Sequence, residues 1–264
     1  MHNTAMNLKE TVDHLNRIAP LEYAASWDNV GLIIDPSPHA NIQRVLLTID
    51  TTSAVLEEAI RKKIDLIISY HPILFHPIQS LSRQSPNQSI VIELLRHNIA
   101  LYSPHTALDH ITGGVNDWLV NRLGSGEVSF IQPLHEDLAG VGRKIVLDKS
   151  VSLNELCQHI KQTFNLSYLR IAKGSQKRIK TIACCPGAGA SLLRDVNADC
   201  FFTGEMSHHE VLAAQSNNTH VILSEHTHTE RGYLSIYRKI VQKQFGSSVN
   251  IDISKRDKDP LQLI

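Results

Sequence analysis

Short blocks of Ile, Leu and Val with no polar alternation recur along the chain, in RVLLTID, IDLIISYHP, IALYSPHT, TIACCPG, ADCFFTGE and HVILSEHT. A block apolar on both faces reads as a strand buried on both sides, as in a parallel sheet covered by helices. Between the blocks lie segments of helical period: TSAVLEEAIRKK, opened by a Thr/Ser cap, NQSIVIELLRHN, HHEVLAAQSNN and TERGYLSIYRKIVQKQFG. At the start, MNLKETVDHLNRIAP predicts an amphipathic helix stopped at Pro20. The alternation predicts an α/β protein with mostly parallel sheets.

The pattern also predicts an organisation. Residues 1–124 form an N-terminal α/β lobe, and from Lys180 the alternation resumes, giving a C-terminal lobe over 181–264. Residues 125–180 are less regular. SFIQPLHEDLAGVGRKIVLD suggests hairpin strands and SLNELCQHIKQTF a helix, so this stretch reads as a bridge within one structural unit. The halves echo each other: RVLLTID, a helix and DLIISYHP parallel KTIACCPG, a helix and DCFFTGEMSHH. A duplication and the general likeness of βαβ units both account for that echo.

Three apolar blocks end in histidine and carboxylate. The first carries Tyr70, His71 and His76; the second His105, Asp109 and His110; the third Glu225, His226, His228 and Glu230. In open α/β sheets ligands sit at the carboxyl ends of strands. Imidazole mixed with carboxylate suits one or two divalent transition metals. His226 and Glu230 are four apart, as are His105 and Asp109. Helix capping is the competing reading for each carboxylate. His208 and His209 form a fourth cluster, suited to ligation or to support of ligands. Gly187 and Gly189 in PGAGAS resemble a phosphate-cradling turn, although tight strand-to-helix packing explains them as well. Trp27 in SWDNVGL reads as an aromatic anchor beside a turn. No GxSxG or P-loop pattern occurs.

Composition narrows the partners. Of 264 residues, 26 are Lys or Arg and 26 are Asp or Glu, so nothing recommends nucleic acid or an anionic membrane. Zero net charge favours self-association. The four cysteines, Cys157, Cys184, Cys185 and Cys200, form no CxxC pair, which argues against a disulfide framework and for a reducing compartment. The first twenty residues lack an apolar signal core and no 18-residue apolar run occurs, so a cytoplasmic protein is expected.

The motifs SWDNVGL, SYHPILF, SPHTALD, PGAGAS, TGEMSHH and EHTHTERGYL, in that order, resemble the GTP cyclohydrolase I type 2 homologue family, also called NGG-interacting-factor-three-like. The resemblance spans nearly the whole chain. It implies two related α/β lobes with a dinuclear metal site between them, and ring-shaped hexamers whose metal centres face an internal cavity. Some members carry an inserted domain between the lobes; the short stretch from 125 to 180 implies that it is absent here. By position, the implied ligands are His71, Asp109, His226 and Glu230, with His105 as a fifth. Zn, Fe or Mn fit that set. Many bacterial members have two adjacent histidines where this chain has Tyr70 and His71. The implied activity is metal-dependent hydrolysis of a nucleotide-like small molecule. The alternative is a non-catalytic metal-binding regulator or scaffold acting through protein partners.

Overall fold

Apolar blocks that cannot be solvated on either face become strands laid side by side. The computed structural model describes residues 6–37, 40–135 and 138–261. In chain order these form β1 (Met6–Asn7), α1 (Leu8–Ile18), β2 (Gly31–Ile34), β3 (Asn41–Ile42), β4 (Arg44–Thr48), α2 (Ser53–Lys62), β5 (Leu66–Ser69), α3 (Pro86–Arg96) and β6 (Ala100–Ser103). Next come α4 (His105–His110), α5 (Val115–Val120), β7 (Gly126–His135), β8 (Ala139–Val151), α6 (Leu153–Phe164), β9 (Arg170–Ala172), β10 (Ile179–Cys185) and α7 (Ala190–Leu193). The chain continues with β11 (Cys200–Thr203), α8 (His208–Ser216), β12 (His220–Leu223), α9 (Leu234–Phe245) and β13 (Asn250–Ile253). Two compact units result: one runs to Leu108 and resumes at Leu234, and the other is Asp109–Tyr233.

The first unit holds a five-stranded sheet in the order β13-β4-β5-β6-β2. All its pairings are parallel except β2 with β6. All four residues of β5 and of β6 are buried. One face packs Leu46, Ile67 and Leu101 against Val55 and Ala59 of α2 and Leu94 of α3. Each fully buried Leu or Ile in such a layer contributes roughly 1.5–3 kcal/mol. The cap expected on α2 is present: the Thr52 hydroxyl accepts from the Val55 N–H.

The second unit holds a six-stranded sheet in the order β7-β8-β10-β11-β12-β9. Its core includes Ala183, Leu193, Phe201, Val221 and Leu223. Here the mostly parallel expectation holds only for the centre. β10, β11 and β12 are parallel neighbours, whereas β7, β8 and β9 pair antiparallel. The physical reason is connection length. β7 and β8 form the hairpin expected from SFIQPLHEDLAGVGRKIVLD, too closely joined for a parallel crossover; its tip, residues 136–137, lies outside the described residues. Residues 125–180 are therefore built into the second sheet, where β8 borders β10 and β9 borders β12.

The ends of the expected lobes also differ. α5 lies in the second unit, where Trp118 packs edge-on against Phe164 and Tyr233. α9 and β13 lie in the first, with β13 parallel beside β4 and Ile251 opposite Val45. The four cysteines are free thiols. Among the described residues, no helix is long and apolar enough to cross a membrane.

Beyond β13 the chain is clasped by Glu58 of α2. The buried Glu58 carboxylate accepts from the Ser254 hydroxyl at 2.6 Å, the Lys255 N–H at 3.1 Å and the Arg256 N–H at 3.2 Å, and it pairs with Lys62 at 3.0 Å. Burial pushes this carboxyl's pKa up, but the hydrogen bonds from Ser254 and Lys62 outweigh it and hold it below its ordinary value. A depressed carboxyl stabilises the fold fully above its unfolded pKa, and the contribution disappears as pH falls through the folded one. Glu58→Gln is therefore expected to unfold more easily than the parent at neutral pH, by about 1–3 kcal/mol for a buried charged acceptor. The gap should close in acid. Urea unfolding of both proteins at several pH values checks this, and a gap independent of pH would contradict it.

Candidate metal centre

In the first unit two strand ends bring histidines together. The Tyr70 and His71 N–H groups donate to the carbonyls of Thr48 and Ile49, so the chain stays extended just past β5. The His71 Nδ1 lies 2.9 Å from Asp50 Oδ1, at the end of RVLLTID. His105 follows β6 after Pro104. It adopts φ 22°, a left-handed conformation costly for a residue with a side chain. The His105 Nδ1 is 2.8 Å from Asp28 Oδ1, which helps hold that conformation. The other Asp28 oxygen accepts from the Thr106 N–H at 3.1 Å and from its hydroxyl. Burial pushes the Asp28 pKa up, yet the hydrogen bonds from His105 and Thr106 prevail and keep it below the ordinary value. The His71 and His105 ring centroids are 5.2 Å apart. Tyr70, buried, stands 4.9 Å from His71 and 5.4 Å from His105. His76 is exposed.

In the second unit the segment after β12 is not yet α9. It forms two 3-10 turns, Thr227–Thr229 and Arg231–Tyr233, with His226 before the first and Glu230 between them. The helix expected to open at Thr229–Glu230 therefore begins later, at Leu234. The tight turns still bring the pair together: His226 Nε2 is 3.1 Å from Glu230 Oε1, and Glu230 is buried. The opposite nitrogen, Nδ1, lies 2.6 Å from Glu205 Oε1. Asp109, near the end of α4, is half-buried, and its carbonyl accepts from the Asn116 side chain at 3.0 Å. Burial pushes the Cys185 thiol well above its ordinary pKa, and the neighbouring charge of Asp109 and Glu230 pushes it in the same direction. Burial also raises Cys184, to about 12, as befits an inert core thiol.

Several readings of the sequence change here. The Gly-rich turn is not an open phosphate cradle: the Gly187 N–H donates to Thr229 Oγ1 at 2.8 Å and the Gly189 N–H to Thr203 Oγ1 at 3.0 Å. Its glycine serves the histidine–carboxylate pair instead. At Gly187, with φ +62°, an added Cβ would lie 2.7 Å from Glu230 Oε1 and 2.9 Å from His226 Nε2. The His228 Nδ1 is held 2.5 Å from the Ser224 carbonyl. His208 and His209 are exposed in the first turn of α8. His110 is buried. Trp27, the aromatic anchor expected beside a turn, is 64% exposed and stands against Phe75 and His105.

One chemical theme recurs in both units. His71, His105 and His226 each direct Nδ1 at a carboxylate: Asp50, Asp28 and Glu205 respectively. A carboxylate on one ring nitrogen fixes the tautomer, places the lone pair on Nε2 and raises its basicity, as is usual for metal-ligating histidines. At His226 that lone pair faces a carboxylate oxygen. Two acceptors at 3.1 Å repel unless a proton or cation lies between them. Bonds of about 2.0–2.2 Å to one ion are compatible with that separation. The donor set therefore fits a divalent metal. The sequence did not single out Asp28, Asp50, Glu205 or Gly187 for this role, although Asp50 ends an apolar block as the candidate ligands do.

A family model for Duf34/NIF3 (NGG1p interacting factor 3) matches residues 6–260. The chain belongs to this family. It is 38% identical to NIF3-like protein 1 of Drosophila melanogaster, over 98% of this chain and 89% of that one. It is 36% identical to NGG1-interacting factor 3 of Saccharomyces cerevisiae, over 98% and 97%. Among solved structures, the Staphylococcus aureus hypothetical protein SA1388 superimposes with a TM-score of 0.86 at 26% identity, covering 99% of this chain and 100% of that one. The mixed α/β architecture with two sheet-bearing units is thus that of the NIF3 family.

Proposed function

We propose that this protein binds divalent transition metal and uses it for hydrolysis of a nucleotide-like small molecule. His71, His226 and Glu230 each offer one ligand atom of a type suited to such an ion. In this reading Asp109 and His105, implied by the family resemblance, complete the set, which would hold two ions of Zn, Fe or Mn. The observation that carries the reading is the carboxylate behind each candidate histidine. When bound, such an ion lowers the pKa of water and polarises the electrophile. The chain's own contribution is to hold the imidazoles: Asp50, Asp28 and Glu205 keep each Nδ1 proton in place. His228 could move a proton through Nε2, because the Ser224 carbonyl engages only its Nδ1. A closed homo-oligomer of six copies, following the family resemblance, belongs to the same proposal.

A second reading is a metal-binding regulator acting through protein partners. The yeast relative's name, NGG1-interacting factor 3, favours it.

Metal analysis of the purified protein tests the first step. His226→Ala combined with Glu230→Ala is expected to abolish bound metal, and His71→Ala alone to lower it at least about tenfold, given that even supporting residues cost 10–100-fold. Unchanged stoichiometry in the double variant would remove the assignment. Light scattering on the same preparation should report a mass near six chains of 29.5 kDa, and a stable monomer would refute the ring. A nucleotide screen with and without chelator then separates the readings. Turnover lost with chelator supports the hydrolase; no turnover on any nucleotide leaves the regulator.

A further inference from the structure

Trp27 is 64% exposed, while the chain's other tryptophan, Trp118, is 6% exposed. Exposure of so large a ring usually accompanies a loose loop, but this loop is tied down. The Ala25 N–H donates to Thr106 Oγ1 at 2.9 Å, and the Asp28 carboxylate is bonded to His105 and Thr106. The Asn29 side chain reaches the Leu74 carbonyl at 2.5 Å, which joins this loop to the one after β5. The backbone on both sides of Trp27 is thus held by hydrogen bonds, while the indole itself reaches solvent, as Ser26 and Asn29 do. Beside it, Phe75 of the second loop is 39% exposed. The two rings are nearly parallel, at 13° with centroids 6.4 Å apart. His105 stands edge-on to both, at 6.0 Å from Trp27 and 5.5 Å from Phe75.

We propose that Trp27 and Phe75 form a stacking subsite for the planar heteroaromatic ring of a small-molecule ligand, next to the His105 imidazole. Parallel aromatic faces reward a planar ring by stacking, beyond simple burial of area. An aliphatic chain gains no such orientation. The platform is also continuous with His105 and His71, whose centroids are 5.2 Å apart, so a ring seated there lies beside the candidate ligand histidines of this unit. Fixed loops add affinity because little ordering remains to be done on binding. The assignment rests on the metal-dependent hydrolase reading for what happens to the ligand, but ring binding itself does not require metal.

Calorimetric titration of the full-length protein with guanosine monophosphate, adenosine monophosphate and nicotinamide mononucleotide tests it, with ribose 5-phosphate as the ringless control. At least one of the three ring-bearing probes is expected to bind saturably and to quench exposed indole emission, and ribose 5-phosphate to do neither. Trp27→Ala should weaken the best probe about 5- to 150-fold, the equivalent of about 1–3 kcal/mol per stacked base. Trp27→Phe, which keeps a planar face, should retain most of the affinity. Bound metal should be the same in all three proteins, so loss of ring binding is read separately from loss of metal. Ring binding in a protein that holds no metal would support the subsite while sinking the metal reading. Equal affinity in Trp27→Ala, or no saturable binding of any probe at millimolar concentration, would overturn the subsite. A change in assembly mass on Trp27→Ala would also overturn it, by assigning the face to a second copy of the chain.

Discussion

Gly187→Ala is expected to disable metal binding although residue 187 contributes no ligand atom. The added methyl group would fall 2.7 Å from Glu230 Oε1 and 2.9 Å from His226 Nε2, inside van der Waals contact with both atoms of the proposed ligand pair. Neither partner can retreat freely. His226 is held at Nδ1 by Glu205, and its carbonyl accepts from the Thr229 hydroxyl at 2.7 Å. Glu230 is buried in the turn between two 3-10 segments. The backbone adds strain, because φ +62° costs an L-residue roughly 1–2 kcal/mol. Overpacking adds about 1–3 kcal/mol. The expected result is metal affinity lowered about 10–100-fold, the range for disturbed ligand support, together with a lower unfolding midpoint. Metal titration and urea unfolding of the variant check both. Unchanged affinity would mean that the His226–Glu230 pair is not where metal binds.

Candidate ligands were legible in the sequence because strand ends announce themselves. An apolar block must be buried, its carboxyl end must emerge, and His71, His105 and His226 follow such ends within three residues. Family motifs then singled out Asp109 and Glu230. The carboxylates behind the histidines were not legible. Asp28 reaches His105 across 77 positions and Glu205 reaches His226 across 21, and no local period encodes a partner that distant. The exposure of Trp27 was not legible for a related reason: an aromatic residue beside a turn looks the same whether its ring turns inward or outward. The second sheet was harder than the first. β7 is exposed or half-buried along its whole length, so it lacks the apolar block that marks β5 or β12. The neighbour of the last strand was not legible either. NIDI would satisfy either sheet, and only the pairing of Ile251 with Val45 assigns it to the first.

Arg143 carries the largest expected loss of stability, and nothing in GVGRKIVLD marked it. It sits in β8 between Phe130 of β7 and Cys184 of β10, and it is 1% exposed. Its Nε donates to the Asp117 carboxylate. Its Nη1 donates to the carbonyls of Gly140 at 2.7 Å and Gly142 at 2.9 Å, and its Nη2 to that of Ile111 at 3.2 Å. The guanidinium lies 4.3 Å from the Phe130 ring centroid. One planar fork therefore ties α5, the segment before it and the hairpin into one network. Arg143→Ala leaves Asp117 and three carbonyls without that donor, and breaking a buried ion pair from one side costs about 3–5 kcal/mol. Arg143→Lys should recover only part of this, since a single ammonium cannot reproduce the fork. Arg143→Met with Asp117→Asn should lose less than Arg143→Ala, because the unpaired carboxylate is gone. The consequence reaches the site, since Asn116 of the same α5 holds the Asp109 carbonyl at 3.0 Å. Loosening α5 should therefore weaken metal binding as well as folding. Urea unfolding with parallel metal titration measures both losses. If Arg143→Ala unfolds within about 1 kcal/mol of the parent, well below the cost of a broken buried pair, the network does not hold this unit together.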